Sequence, residues 1–365
     1  MSSSETDVRV ARTPTVAVTG AASGIGALLF ERLISSPEVK DVVGFDERRG
    51  ESGEAAQWHT LDVRDPVIAD RLRGDGRPVD VVVHLAMDLG LEGDAAARTA
   101  YNVRGTQTVL TAAAAAGVHR VVLCTSTMVY GALPTNDVPL AEDAELCATA
   151  EATGVGDLLE IERLAHRAPR AHPGLNVTVV RPAALVGGVD TALTRHFESP
   201  RLLVVAGSRP CWQFCHVEDL VSALEYAALE KVEGELAVGC DGWLEQEELE
   251  ELSGMRRMEL PSAVAMGAAA RLHRLGLTPS LAGDLAYTMY PWVVSGSRLY
   301  EAGWRPRWTN EDVLAELLEE VSGQHTVAGR RLGRKDATAA GAAGATVALL
   351  GTAALVRRAR KRRGL

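Results

Sequence analysis

The chain has 365 residues, 47% of them hydrophobic and 24% charged, with a formal net charge of −10. That length buries a sizeable core and suits two domains, or one large α/β domain with an added lobe. Gly329 to Leu365 carries ten Lys/Arg and one acid, +9, which leaves −19 on residues 1–328, and an acidic body argues against tracking a nucleic-acid backbone.

Residues 1–13 are polar and lack apolar periodicity, so a loose lead is expected. Thr15–Thr19 is an apolar run ending at a glycine-spaced turn, Gly20, Ser23, Gly24, Ile25 and Gly26, and an amphipathic helix follows over Ala27–Ile34. Glycines at this spacing let the chain turn tightly, come close to a pyrophosphate and pack the helix on the sheet, with the positive helix end facing the anion. Asp41–Asp46 predicts a second strand ending in a carboxylate, which suits a ribose 2′-hydroxyl, so the pattern predicts a dinucleotide site. Thr60–Pro66 predicts a short third strand, Val67–Arg73 a helix, and Val79–Ala86 a fourth strand whose continuous valines fit a parallel sheet covered on both faces. Asn102–Ala116 predicts a helix ended by Gly117, Arg120–Thr125 a strand, Leu158–Arg167 a helix, and Asn176–Val180 a sixth strand that Arg181-Pro182 breaks. The alternation predicts an α/β fold with a doubly wound parallel Rossmann sheet. Five cysteines at 124, 147, 211, 215 and 240 show no zinc pairing, and no secretory signal opens the sequence, so reduced thiols and a cytoplasmic location are expected. Cys211 and Cys215 could share a helix face, although core packing is the simpler reading.

Several landmarks occur in a recognisable order: Thr19-Gly20 with its glycines, Leu61 to Asp65, His84-Leu85-Ala86, Asn102 to Thr106, Thr125 to Gly131, Arg181-Pro182 with Gly187, Phe214 to Asp219, Gly234 to Gly239, and Ala302 to Pro306. Over roughly residues 15–320 the chain resembles the extended short-chain dehydrogenase/reductase family of NAD-dependent nucleotide-sugar epimerases and dehydratases. The glycine turn departs from it, with the one-residue-wider spacing of the single-domain branch. The resemblance implies NAD as cofactor, with Asp46 on the adenosine ribose, Asp62 and Val63 beside the adenine, and His84, Leu85, Ala86 and Asn102 on the nicotinamide half. It further implies an NAD domain over 14–182, completed by about 214–240, and a smaller α/β substrate lobe from 183–213 and 241–320. A homodimer through helices of the sheet domain is also implied.

The family's chemistry uses a Ser or Thr after the fifth strand, matched by Ser126, and a Tyr whose pKa a Lys four residues later lowers. Counting back from Glu160 on the catalytic helix puts Ala152 at the Tyr position and Gly156 at the Lys position. No Tyr lies between Tyr130 and Tyr226, and the chain's lysines are Lys40, Lys231, Lys335 and Lys361. A hydride step needs a partner for the hydroxyl proton, and alanine and glycine offer none. The arginine that opens the family's Phe214-to-Val217 motif is matched by Trp212, and Ala183 and Ala184 stand where an Asn is frequent. Arg209 and Arg298 remain as candidate anion contacts, although an exposed or structural role is the simpler reading for each; Tyr130 is read as a packed ring, and Asp157 is the titratable group between Ala152 and Glu160.

Past a linker at 321–336, Ala337 to Val356 is twenty residues without a charge, long enough as a helix to cross a bilayer, but mostly Ala, Gly and Thr and flanked by cations on both sides. The tail 337–365 is therefore expected to span, to lie on anionic lipid, or to act as a linker. No metal site is expected. Two functions are consistent with these residues: an NAD-binding sensor, scaffold or regulator without the redox chemistry, or an atypical enzyme acting on a sugar nucleotide or related small molecule.

Overall fold

A computed structural model describes residues 13–51, 56–74, 76–90, 93–151, 153–199, 201–265, 267, 282–322, 326–327 and 330–331. Ala152, most of the N-terminal lead, and the expected tail helix at 337–356 lie outside the described residues.

A seven-stranded, all-parallel sheet dominates. Its strands are β1 (Thr15–Thr19), β2 (Asp41–Asp46), β3 (Gln57–Thr60), β4 (Val81–His84), β5 (Arg120–Cys124), β6 (Asn176–Pro182) and β7 (Glu235–Val238), in the order β3-β2-β1-β4-β5-β6-β7. Valine-rich strands buried on both sides require cover on both faces. Helices α1 (Gly24–Ser35) and α2 (Val217–Ala228) cover one face, where Leu29, Phe30 and Leu33 meet Leu220 and Leu224. Helices α3 (Gly105–Ala116) and α4 (Gly154–Ala171) cover the other, where Val109 and Leu110 meet Leu158 and Ile161. The chain reverses direction across the sheet between β1 and β4, and at such a switch point the connections diverge and leave a crevice at the carboxyl ends of the strands.

The predicted third strand is displaced: Gln57–Thr60 pairs with β2, while Asp62 to Asp65 is a turn. Asp62 Oδ1 accepts the Arg64 N–H at 2.8 Å, Asp65 Oδ1 accepts the Val67 N–H at 2.9 Å, and these side-chain bonds compete with the ladder. The sixth strand runs on through Arg181-Pro182, because β7 pairs there, with Ala237 opposite Arg181. The catalytic-helix candidate starts at Gly154, where the Thr153 hydroxyl caps the Gly156 N–H at 3.0 Å. Ahead of α3, Ala100–Arg104 forms a π-helical turn rather than regular helix.

The remaining described residues build a smaller lobe of short elements. Ala184–Val186 pairs in parallel with Phe214–His216, Leu202–Val205 with Arg257–Leu260, and Cys211–Trp212 antiparallel with Leu244–Glu245. Helices Ala192–Phe197, Gln246–Ser253 and Asn310–Val321 pack on them through Phe197, Leu249, Val313 and Leu317. Cys211 and Cys215 thus sit on strands, both buried, and share no helix face.

Candidate dinucleotide site

The crevice is formed by backbone that only glycine permits. Gly20 and Gly24 have φ of +71° and +55°, a region that favours glycine. A Cβ on Gly20 would stand 2.8 Å from the Leu85 and Ala86 backbone, and one on Gly26 would overlap the Gly20 carbonyl. The first turn of α1 holds no acidic residue and the Ser23 side chain does not cap it, so its N–H groups face outward beside an exposed Ser23 and Gly24. Close approach, a tight turn and free donors at a helix N-terminus fit a dinucleotide pyrophosphate.

Asp46, at the end of β2, is drawn into this turn: the Ala22 N–H donates to its Oδ2 at 3.0 Å and the Arg48 N–H to its Oδ1 at 3.3 Å. Beside it a cleft of about 330 Å³ is lined by Ala22, Glu31, Arg48, Arg49, Gly50 and Glu51, among others. Asp62 is ion-paired with Arg64, which holds its carboxyl below the usual range. Val63 is buried, and a Cβ on Gly105 would stand 3.1 Å from its Cγ2.

On the other side of the crevice a hydrogen-bond chain fixes the loop after β4. Thr106 donates to the Asn102 carbonyl at 2.7 Å, which leaves its oxygen to accept from His84 Nε2 at 3.2 Å. His84 Nδ1, 2.7 Å away, then accepts from the Thr19 hydroxyl, whose oxygen takes the N–H groups of Leu85 (3.1 Å) and Ala86 (3.3 Å). Complete burial lowers the His84 pKa to about 4, so the ring is neutral. His84 therefore supports this loop from inside the core, while Leu85 is half-buried at its surface.

Asn102, projected inward from the π turn, is fully buried; its Oδ1 accepts the Asp88 N–H at 2.7 Å and its Nδ2 donates to the Asp88 carbonyl at 2.8 Å. Ser126 caps the short turn Thr127–Tyr130 by accepting the Met128 N–H at 3.2 Å. The phenol of Tyr130 is 1% exposed, donates to the Glu142 carbonyl at 2.8 Å and accepts from Arg181 at 2.8 Å. Burial pushes its pKa above the usual value, so Tyr130 is a packed structural group. Asp157 is 3% exposed and accepts from Arg98 Nε at 2.8 Å, the Thr99 hydroxyl at 2.6 Å and Asn102 Nδ2 at 3.2 Å.

Both candidate arginines take the simpler roles expected of them, and the arginine position of the family motif carries no charge. Arg298 donates to the Glu235 carboxylate and carbonyl at the opposite end of the sheet, and Trp212 is buried with its indole N–H on Gln246. Arg209 is exposed. Among the described residues no group of His, Cys, Asp and Glu is arranged to hold a metal ion. Sequence reasoning missed the partners Arg98 and Thr99 of Asp157, whose spacing from it carries no local signature.

A 3-2-1-4-5-6 parallel order with a glycine crevice at the switch point defines a Rossmann-type dinucleotide-binding protein. Residues 16–239 match the NAD dependent epimerase/dehydratase family, and the chain belongs to that family, with NAD as its cofactor. An uncharacterized protein of Mycobacterium tuberculosis is 30% identical over 318 residues, 83% of each chain. An L-arabinose 1-dehydrogenase (NAD(P)(+)) of Haloferax volcanii is 36% identical over 144 residues, 39% of this chain and 52% of that one. Among solved structures, the UDP-glucose 4-epimerase of Thermotoga maritima shares the fold with a TM-score of 0.62 at 19% identity, over 84% of this chain and 97% of its own.

Proposed function

We propose that this protein binds NAD in the crevice between β1 and β4 without the family's Tyr/Lys redox chemistry, and serves as an NAD-dependent sensor, scaffold or regulator. Gly20, Ser23, Gly24, Ile25 and Gly26 would hold the pyrophosphate, Asp46 the adenosine ribose, Asp62 and Val63 the adenine side, and Leu85 and Ala86 the nicotinamide half, with Asn102 supporting their loop from the core rather than touching the cofactor. Bound NAD would supply a hydride acceptor. The chain's own residues would then have to hold or move the hydroxyl proton of a substrate.

The observation that carries this reading is the start of α4. Counting from Glu160 gives Ala152 and Gly156, but Glu160 faces solvent with Arg163, whereas Glu162 is the buried glutamate of the helix. Counting from Glu162 gives Gly154 and Leu158. Neither register supplies a proton-transferring side chain, and Asp157 between them is occupied by three donors. A positioned acid or base contributes roughly 10²- to 10⁴-fold in rate. Incubating the full chain with NAD and UDP-glucose or dTDP-glucose, and following the sugars by NMR, is expected to show no turnover. Turnover at ordinary enzyme rates that Asp157→Asn abolishes would overturn the reading.

A second reading is an enzyme acting on a free sugar or a sugar nucleotide, supported by the dehydrogenase named above and by Ser126, which occupies the family position after β5. The buried Trp212 in place of an arginine favours the smaller, uncharged substrate within this reading. NAD reduction by free aldoses would support it.

The tail at 337–365 is proposed to attach the protein to anionic membrane from the cytoplasmic side, on the strength of its uncharged run and flanking cations. No helix among the described residues is long and apolar enough to cross a membrane.

A further inference from the structure

We infer that Asp157 is a positioning residue for the nicotinamide half of the NAD site, acting through Asn102 on the loop Leu85–Asp88. This rests on the proposed NAD placement.

The loop is held at both ends by side chains, with one backbone bond, Leu85 N–H to the Thr19 carbonyl at 3.2 Å, at its start. At its start, Thr19 Oγ1 takes the Leu85 and Ala86 N–H groups. At its end, Asn102 takes the N–H of Asp88 and returns a bond to its carbonyl, the two-way pairing that a strand neighbour would otherwise provide. An Asn amide can make both bonds only in one of its two orientations. Asp157 selects that orientation, because its Oδ2 lies 3.2 Å from Asn102 Nδ2 and a carboxylate accepts from the amide nitrogen but repels the amide oxygen.

Asp157 is itself held. Arg98 Nε donates to the same Oδ2 at 2.8 Å and Thr99 donates to Oδ1 at 2.6 Å, so helix Ala95–Thr99, the π turn and α4 converge on one carboxylate. The pair is largely desolvated, with side chains 16% and 3% exposed. A π turn is a rare irregularity found frequently at functional sites, and here Asn102 is its buried residue.

The loop so fixed abuts the glycine turn: the Leu85 and Ala86 backbone is the wall that a Cβ on Gly20 would strike. A ligand that occupies only the adenosine half of the crevice, against Asp46 and α1, does not reach it. Loosening Asn102 therefore weakens the whole dinucleotide and leaves the adenosine fragment untouched.

The test is calorimetric titration of the full chain with NAD and with ADP. Asp157→Ala, which removes the acceptor facing Asn102 Nδ2, should weaken NAD about tenfold or more and leave ADP within about twofold. Where that variant folds poorly, Arg98→Met/Asp157→Leu replaces the pair by apolar groups of similar volume, an exchange that buried ion pairs often tolerate, and should give the same split. NAD and ADP weakening together would mark a general structural role and overturn the inference, as would unchanged NAD binding. A wild-type chain that binds ADP but not NAD, or neither, would remove the proposed NAD placement and this inference with it.

Discussion

Arg181 grips Glu162 through two hydrogen bonds, Nε to Oε1 at 2.9 Å and Nη2 to Oε2 at 2.8 Å, with both side chains 5% exposed. Thr125 donates to the same Oε1 at 2.7 Å, and Arg181 Nη1 reaches Tyr130 and the Glu142 carbonyl. The pair thereby locks the rotation of α4 against β6 and the segment that carries Ser126. Removing one partner would leave a buried charge alone, so Glu162→Gln should cost about 3 to 5 kcal/mol by urea unfolding. Arg181→Met/Glu162→Leu should recover much of that loss.

The two registers on α4 can be separated by substitution at its glycines. A Cβ on Gly154 meets nothing within 4 Å, whereas one on Gly156 would overlap the Glu151 carbonyl. Gly154→Ala should be neutral or raise stability by up to about 1 kcal/mol. Gly156→Ala should lower it by about 1 to 3 kcal/mol, because backbone must move. Equal effects would show that position 156 can carry a side chain after all. The Gly154/Leu158 register would then lose its steric support.

Gly26→Ala should abolish NAD binding while the protein remains folded, since the methyl overlaps the Gly20 carbonyl and opens the turn. Thermal melts with and without NAD check both parts.

NAD should bind about tenfold or more tighter than NADP, because the Asp46 carboxylate repels a 2′-phosphate. Titration with both dinucleotides decides it. Tighter NADP binding would instead implicate Arg48 and Arg49, which line the adjoining cleft.

His84 makes stability fall in mild acid. Its pKa is 6.5 when exposed and about 4 in the fold. Between those values the unfolded chain binds the extra proton, so stability is full above pH 6.5 and declines toward pH 4, by up to about 3 kcal/mol. His84→Gln should be less stable at pH 7 and show a flatter decline over that window in denaturant titrations.

The glycine turn, Asp46 and the valine strands were legible in the sequence because each is a local requirement: a φ only glycine allows, a carboxylate at a strand end, and burial on two faces written as an unbroken apolar run. The family landmarks added Ser126 and the nicotinamide-side loop. The third strand was misplaced because Asp62 and Asp65 bend their own backbone into a turn, an effect that outweighs the apolar Leu61 and Val63. Which glutamate of α4 faces the core was decided by the tertiary structure, since Glu160 and Glu162 differ only in the rotation of the helix against Arg181. Asp157 is the plainest case. In sequence it is a lone acid at a helix start, and its meaning depends on Arg98, Thr99 and Asn102, more than fifty residues away, arriving at one buried carboxylate when the helices pack.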